Sequence, residues 1–350
     1  MTRFPSGTPA PRSAALGQDC EIDLEPLAEE ICRRYRIEFN DEGDRYGAAG
    51  VAWCIHDNLY LMAWAIDDVR LGGAHFLGNV GWLRRILESR GFPIERLARN
   101  LELAGEVVAQ AVPDESIQLV DRFTRGAELV RGDATQEEPP AGAPVRDAYV
   151  QALLGARPAA ARLIIEAALE AGLPARSVYL DVLQPALHEV GRLWELGQAS
   201  VAQEHLATAT TQALLHHVAD ALPHLPLVGR SAIVTGTEGE LHGVAVRFVA
   251  DFLEADGWSV LELGPSTPAA DLAELADQNG VDLVGLSTTL TSNLSRASEA
   301  VAALRALSRP PLIVVGGNAY RGDEALARRL GADVFAPDAG SLGKLLRDRR

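Results

Sequence analysis

After Pro226 the sequence changes rhythm, and that change constrains the fold more than any other feature of the chain. Five short runs rich in β-branched residues follow: "SAIVTG" from Ser231, "SVLELG" from Ser259, "DLVGLS" from Asp282, "LIVVGG" from Leu312 and "DVFAPD" from Asp333. Between them lie stretches of helical spacing that begin near Val244, Pro268 and Asn293, with one more after the fourth run. Short apolar strands that alternate with helices bury both faces of a sheet, so residues 227–350 are expected to form a doubly wound, parallel, Rossmann-like α/β domain. Ligands of such sheets bind beyond the carboxyl ends of the strands, where the glycines and polar residues of this segment accumulate.

Upstream the text is helical. Residues 146–226 read as four helices with short Gly/Pro breaks: "RDAYVQALLG", "PAAARLIIEAALEAG", "PARSVYLDVLQPALHEVGRLWELG" and "SVAQEHLATATTQALLHHVADAL". The short connections predict a four-helix bundle. "DATQEEPPAGAPV", residues 133–145, is acidic, rich in Pro and Gly and without periodicity, as a linker would be. Residues 22–132 carry apolar residues at three- and four-residue steps and are expected to form a separate all-α domain. The first 21 residues are rich in Pro, Ser, Gly and Ala, lack the apolar core of a secretory signal, and read as a disordered arm.

Composition narrows the partners. With 48 acidic against 32 basic residues the formal charge is −16, and no basic face is legible, so direct nucleic-acid binding is not expected. The apolar segment around Trp53 is interrupted by His56, Asp57 and Asn58, so no membrane span is expected. Cys20, Cys32 and Cys54 have no metal-ligand spacing and leave one thiol over in any pairing, which fits a reduced, cytoplasmic chain.

The loop after the first strand run, "GTEGELHGVAVRF", places Glu240 two residues before His242, with Gly243 following. A carboxylate at that distance can hold the far imidazole nitrogen, the support that a metal-ligating histidine requires. Ser287, at the end of the third run, falls on the same edge and is expected to complete the relay. Gly316 and Gly317 end the fourth run, where missing side chains would let a bulky ligand reach the backbone.

These residues resemble the cobalamin-binding module, whose pattern is Asp-x-His-x-x-Gly, Ser-x-Leu and Gly-Gly. Here 41 residues, 246 to 286, separate Ala245 from Ser287, and 26 residues, 290 to 315, separate Thr289 from Gly316. Glu240 stands for the aspartate, Ala245 for the glycine and Thr289 for the leucine. The resemblance implies base-off binding of cobalamin: His242 would ligate the lower face of cobalt, and the nucleotide tail would insert near Ser287, Gly316 and Gly317.

In the helical segment before it, Trp194 is followed by nine residues and then Glu204-His205. This spacing resembles the cap of light-sensing cobalamin proteins. By that resemblance, Trp194 would cover the upper face of adenosylcobalamin and Glu204 and His205 would line the adenosyl pocket. Some of these sensors place a histidine directly after the tryptophan, and here the residue is Glu195, leaving His188 or His205 as the upper-face imidazoles. The repressor-type sensors also carry a DNA-binding domain, which residues 22–132 do not resemble.

That first domain instead gathers Trp53, His56, Tyr60, Trp64, His75 and Trp82, with Tyr46 nearby. Aromatic walls with histidines suit a flat conjugated ligand as well as a core. The whole layout is similar to the photocobilins, photoreceptors that combine cobalamin with a bilin. The resemblance implies biliverdin as second chromophore, bound non-covalently despite Cys54, with Arg45, Arg70, Arg84 and Arg85 as candidate partners of its propionates. The reading is therefore a light-sensing regulatory protein rather than an enzyme, signalling through a protein partner or self-association. The competing reading is a corrinoid methyl-carrier subunit, which joins a helical cap to the same sheet module. Trp194 with Glu204-His205 argues against it, since a methyl carrier must open its upper face to substrates.

Overall fold

The computed structural model describes residues 11–15, 21–72, 75–111, 116–132 and 144–347. The chain divides into two compact units at Gln136. Most of the expected linker, residues 133–143, lies outside the described residues, and Pro144 and Val145 already belong to a helix.

In the first unit β1 (Ser13–Ala15) pairs antiparallel with β2 (Glu21–Asp23), so part of the arm expected to be disordered is a strand. Residues 1–10 and 16–20 of that arm lie outside the described residues. Five helices follow: α1 (Leu24–Glu38), α2 (Glu42–Leu71), α3 (His75–Ser89), α4 (Ile94–Ala111) and α5 (Ser116–Arg131). Asp23 caps α1 by accepting from the Glu25 amide, and Leu24, Ala28, Ile31, Cys32 and Tyr35 form its buried stripe. α2 ends at Gly72, whose φ of 61° closes the helix in the left-handed region. Asp68, buried in the last turn of α2, accepts from the Phe76 amide at 3.0 Å and from Arg122 Nε of α5 at 2.6 Å. One carboxylate thus ties three helices together.

The second unit opens with α6 (Pro144–Leu154) and α7 (Pro158–Glu170). Next comes one nearly continuous rod: α8 (Ala175–Ser177), a π-helical turn (Val178–Leu183) and α9 (Gln184–Glu195). Pro185 in the first turn of α9 has no amide proton, and the Gln184 amide reaches back five residues to Tyr179. α10 (Val201–Ala219) starts at a capping box in which Ser200 and Gln203 exchange hydrogen bonds.

The remaining elements are β3 (Ser231–Thr237), α11 (Gly243–Ala255), β4 (Ser259–Thr267), α12 (Ala269–Asn279), β5 (Leu283–Ser287), α13 (Leu294–Arg305), β6 (Leu312–Gly316), α14 (Glu324–Arg329), β7 (Val334–Ala336) and α15 (Ala339–Arg347). The five strands are parallel in the order β4-β3-β5-β6-β7. Strand order reverses between β3 and its neighbours, which opens a crevice at the carboxyl ends of β3 and β5.

The helical layer meets the sheet domain through α11. Val178, Tyr179, Leu215 and Val218 share one apolar core with Phe248, Phe252 and Ala255. The Tyr179 ring stands edge-on to Phe248 and Phe252, with centroids 4.7 and 5.1 Å away, and its hydroxyl donates to the buried Asp251 at 2.6 Å. Burial and the Asp251 carboxylate push the Tyr179 phenol well above its ordinary value. Arg176 pairs with Asp256 and lies over the Phe252 ring.

Candidate functional site

The loop from Glu238 to His242 leaves β3 at the crevice, and His242 is the residue that precedes α11. Its side chain makes no capping bond. Instead Nδ1 faces Glu240 Oε2 at 3.1 Å, while the imidazole remains 48% exposed. Glu240 is 1% exposed. Its other oxygen accepts from the Thr289 amide at 3.0 Å, the Leu290 amide at 2.8 Å and Asn293 Nδ2 at 2.8 Å. With three donors on Oε1, Oε2 is left to accept from Nδ1, the arrangement in which a neutral imidazole can present its Nε2 lone pair to a metal. This is the support that a ligating histidine needs.

The relay differs from expectation in one place. Ser287 ends β5 at 8% exposure, but its hydroxyl is not among the partners of Glu240; two backbone amides and Asn293 take that role. The reason is geometric: β5 ends at Ser287, and only two and three residues later do backbone amides, those of Thr289 and Leu290, reach Glu240. Thr289 therefore enters the site through its backbone. Asn293 precedes α13, a position where an asparagine ordinarily caps the helix, yet it makes no capping bond because its amide is turned to Glu240.

Gly316 and Gly317 have internal reasons to be glycine. A Cβ on Gly316 would stand 2.6 Å from the Ala336 carbonyl oxygen, and one on Gly317, at φ 105°, would stand 2.3 Å from that of Thr288. Leu241, between Glu240 and His242, is 56% exposed and offers an apolar contact beside the imidazole.

Trp194 lies in the last turn of α9, and Glu204 and His205 lie in the first turn of α10, so the short turn between the helices brings them to one end of the helical layer. Glu204 accepts from Thr208 Oγ1 at 3.1 Å and lies 3.5 Å from His205 Nε2. Further along α10, the Gln212 amide lies 3.8 Å from the point a Cβ on Gly243 would occupy. His205 precedes Gln212 by two helical turns and shares its face, which looks toward the His242 loop from about 10 Å farther along the axis.

In the first unit, Tyr60, Trp64 and His75 are buried, whereas Trp53, His56 and Trp82 are half-buried. Ring centroids follow one another from Trp53 to His56 (5.2 Å), Tyr60 (5.0 Å), Trp64 (6.1 Å) and Trp82 (6.4 Å). His75 is the first residue of α3. A small apolar cavity of this unit is lined by residues that include Leu24, Met62, Ile66 and Phe123 and by none of these aromatics. Arg70 pairs with Asp67, and Arg84 donates to the carbonyls of Leu129 and Gly132 at the end of α5, which gives both a structural task.

Among the described residues no group of three or more His, Cys, Asp or Glu side chains is placed to hold a bare metal ion. A metal served by His242 alone must bring its other ligands with it, which is the condition of a cobalt chelated in a corrin ring. No helix among the described residues is long and apolar enough to cross a membrane.

Comparison with known proteins bears on the same residues. A family model described as B12 binding domain matches residues 230–345, and a second of that description matches residues 145–219. The HTH-type transcriptional repressor CarH of Myxococcus xanthus is 34% identical over 168 residues, 47% of this chain and 55% of that protein. The chain thus matches about half the length of that repressor. Dimethylamine corrinoid protein 1 of Methanosarcina acetivorans is 27% identical over 161 residues, 45% of this chain and 75% of that protein. The solved structure of the Methanosarcina barkeri monomethylamine corrinoid protein superposes with a TM-score of 0.52 at 21% identity, covering 59% of this chain and 96% of that one, a likeness of fold. The second unit is therefore a cobalamin-binding module made of two B12 binding domains.

Proposed function

We propose that the protein is a photoreceptor in which adenosylcobalamin lies between the helical cap and the sheet, base-off, with His242 as the lower ligand. What supports this reading is that Trp194 falls in the last turn of α9 and Glu204 and His205 at the start of α10, the helix whose Gln212 lies beside Gly243, the residue after His242. Adenosylcobalamin, when bound, supplies a cobalt–carbon bond that visible light can break. The rest is the work of the chain. Glu240 holds the proton of His242 on Nδ1, the Trp194 indole excludes water from the upper face, and the Glu204 carboxylate accepts hydrogen bonds from ribose hydroxyls. Trp194, Glu204 and His205 would hold the adenosyl side of the group, and a change in what they hold would let the helical segment repack on the sheet domain and pass a signal to a protein partner or to a second copy of the chain. The similarity to CarH supports a regulator rather than an enzyme.

The continuous aromatic run from Trp53 to Trp82 supports a second chromophore, biliverdin, held without a covalent bond in the first unit. The corrinoid carriers support the competing reading, a methyl-carrier subunit. Two measurements decide. Protein prepared in the dark with adenosylcobalamin and biliverdin is expected to show a base-off cobalamin spectrum that green light changes, and a red-absorbing band that survives gel filtration. A cobalamin spectrum that light leaves without effect on domain packing or assembly favours the carrier, and the absence of the red band removes the bilin. Trp194→Ala is expected to weaken adenosylcobalamin binding more than methylcobalamin binding; equal losses would argue against the cap.

A further inference from the structure

The strand edge beside the histidine loop has an unusual backbone. The register between β3 and β4 slips at Val234/Thr235 and again at Thr235/Thr237, and within the resulting bulge both Gly264 and Ser266 have positive φ, 73° and 62°. Ser266 is one of three non-glycine residues with positive φ among the described residues. A serine is disfavoured in this region, and an exposed rim position offers no burial to offset it. Bulges next to functional sites re-aim side chains.

What the backbone aims is the Ser266 hydroxyl, which accepts a hydrogen bond from the Gly239 amide at 3.0 Å. Gly239 immediately precedes Glu240 and is itself constrained: its φ is 86°, and a Cβ there would lie 3.0 Å from Asn293 Oδ1. The approach between the two segments is close elsewhere too. A Cβ on Gly236 would stand 3.2 Å from Pro265 Cα and from the Ser266 amide nitrogen, and Thr267 Oγ1 is pinned to Thr235 Oγ1 at 2.6 Å. The loop that carries Glu240 and His242 is thus gripped on one flank by Thr289, Leu290 and Asn293, and on the β4 flank by Ser266.

We propose that Ser266 is a positioning residue for the lower cobalt ligand: its left-handed backbone directs Oγ onto the Gly239 amide, and that bond sets the turn from which Glu240 reaches His242 Nδ1. Ser266 acts through Gly239 and Glu240. The inference rests on the reading of His242 as the lower ligand. It also accounts for a serine at a position where the backbone alone would favour glycine.

The experiment uses the full chain loaded with cob(II)alamin and histidine labelled with nitrogen-15, so that the nitrogen splitting in the paramagnetic resonance spectrum reports histidine ligation specifically. Four proteins are compared: wild type, Ser266→Gly, Ser266→Ala and Ser266→Asn. Glycine keeps the backbone and removes the acceptor; alanine removes the acceptor and keeps the disfavoured φ; asparagine tolerates the φ and restores an acceptor oxygen. Loss of one such bond is expected to lower the ratio of ligated to unligated histidine roughly threefold to tenfold in the glycine and alanine variants, with recovery in asparagine. The melting temperature of the glycine variant is expected to equal or exceed that of wild type, which separates loss of positioning from loss of fold. A glycine variant with the wild-type ratio would overturn the proposal while leaving the site intact. Wild type that binds cob(II)alamin without histidine splitting, or fails to bind it, would overturn the reading of His242 and this inference with it.

Discussion

A histidine can offer Nε2 to a metal only while Nδ1 carries the ring proton, and in this protein the atom facing Nδ1 is Glu240 Oε2, 3.1 Å away. Glu240→Gln tests that dependence. The glutamine carbonyl can go on accepting from Thr289, Leu290 and Asn293, which leaves its amide NH2 to donate to Nδ1 and shifts the ring proton to Nε2. Ligation by His242 is expected to disappear while the melting temperature stays within a few degrees of wild type. Glu240→Ala differs: it strands three donors in a buried site, each at a cost of about 1–3 kcal/mol. Retention of the histidine-ligated spectrum in Glu240→Gln would sink the tautomer argument. At this scale the sequence was legible where partners are neighbours along the chain, as Glu240 and His242 are. It was not legible where the fold supplies the partner. In the sequence Asn293 only marks where a helix begins and Ser266 carries no signal, and only the tertiary path of β4 and β5 brings them to the loop.

Among the elements, α11 carries two loads: its first turn follows His242, and its later turns receive the cap through Tyr179, Arg176 and their partners. Asp251, buried and shared between Tyr179 and Arg247, is the centre of that joint. Tyr179→Phe keeps the ring between Phe248 and Phe252 and removes the 2.6 Å bond to the carboxylate together with the longer, 3.5 Å contact with the Leu215 carbonyl oxygen. A hydrogen bond to a charged group contributes about 2 kcal/mol, so thermal unfolding of the second unit is expected roughly 4–8 °C earlier. An unchanged transition would mean that Arg247 alone satisfies Asp251. The helices of this region follow from periodicity, which gives the stretch through Pro185 as one helix, but the π turn ahead of that proline does not, and it shows only with Tyr179 packed on α11.

For the molecule as a whole, the legible and illegible parts divide at the boundary between the units. In the second unit the alternation of strands and helices shows in the text because the central strands β3, β5 and β6 are buried by covering helices. In the first unit helical spacing gives helices but no site, since the same aromatic residues serve a core and a ligand wall equally well. The second unit also has a mechanical asymmetry. The cap is clamped to the sheet domain at Tyr179 and Arg176, and the connection to β3 is pinned by bonds from the Leu225 amide to Ala255 and from the Val228 amide to Gly257. Trp194 lies fifteen residues beyond Tyr179, roughly 22 Å along the same rod. A rod clamped at one end moves most at the other. Green light on the adenosylcobalamin-loaded protein is therefore expected to raise amide exchange around Trp194 and in the first turn of α10, while the α11 amides near Asp251 keep their dark protection. Exchange that rises equally at both ends would mean that the cap comes off whole, and exchange that rises at neither would remove the cap as the moving part.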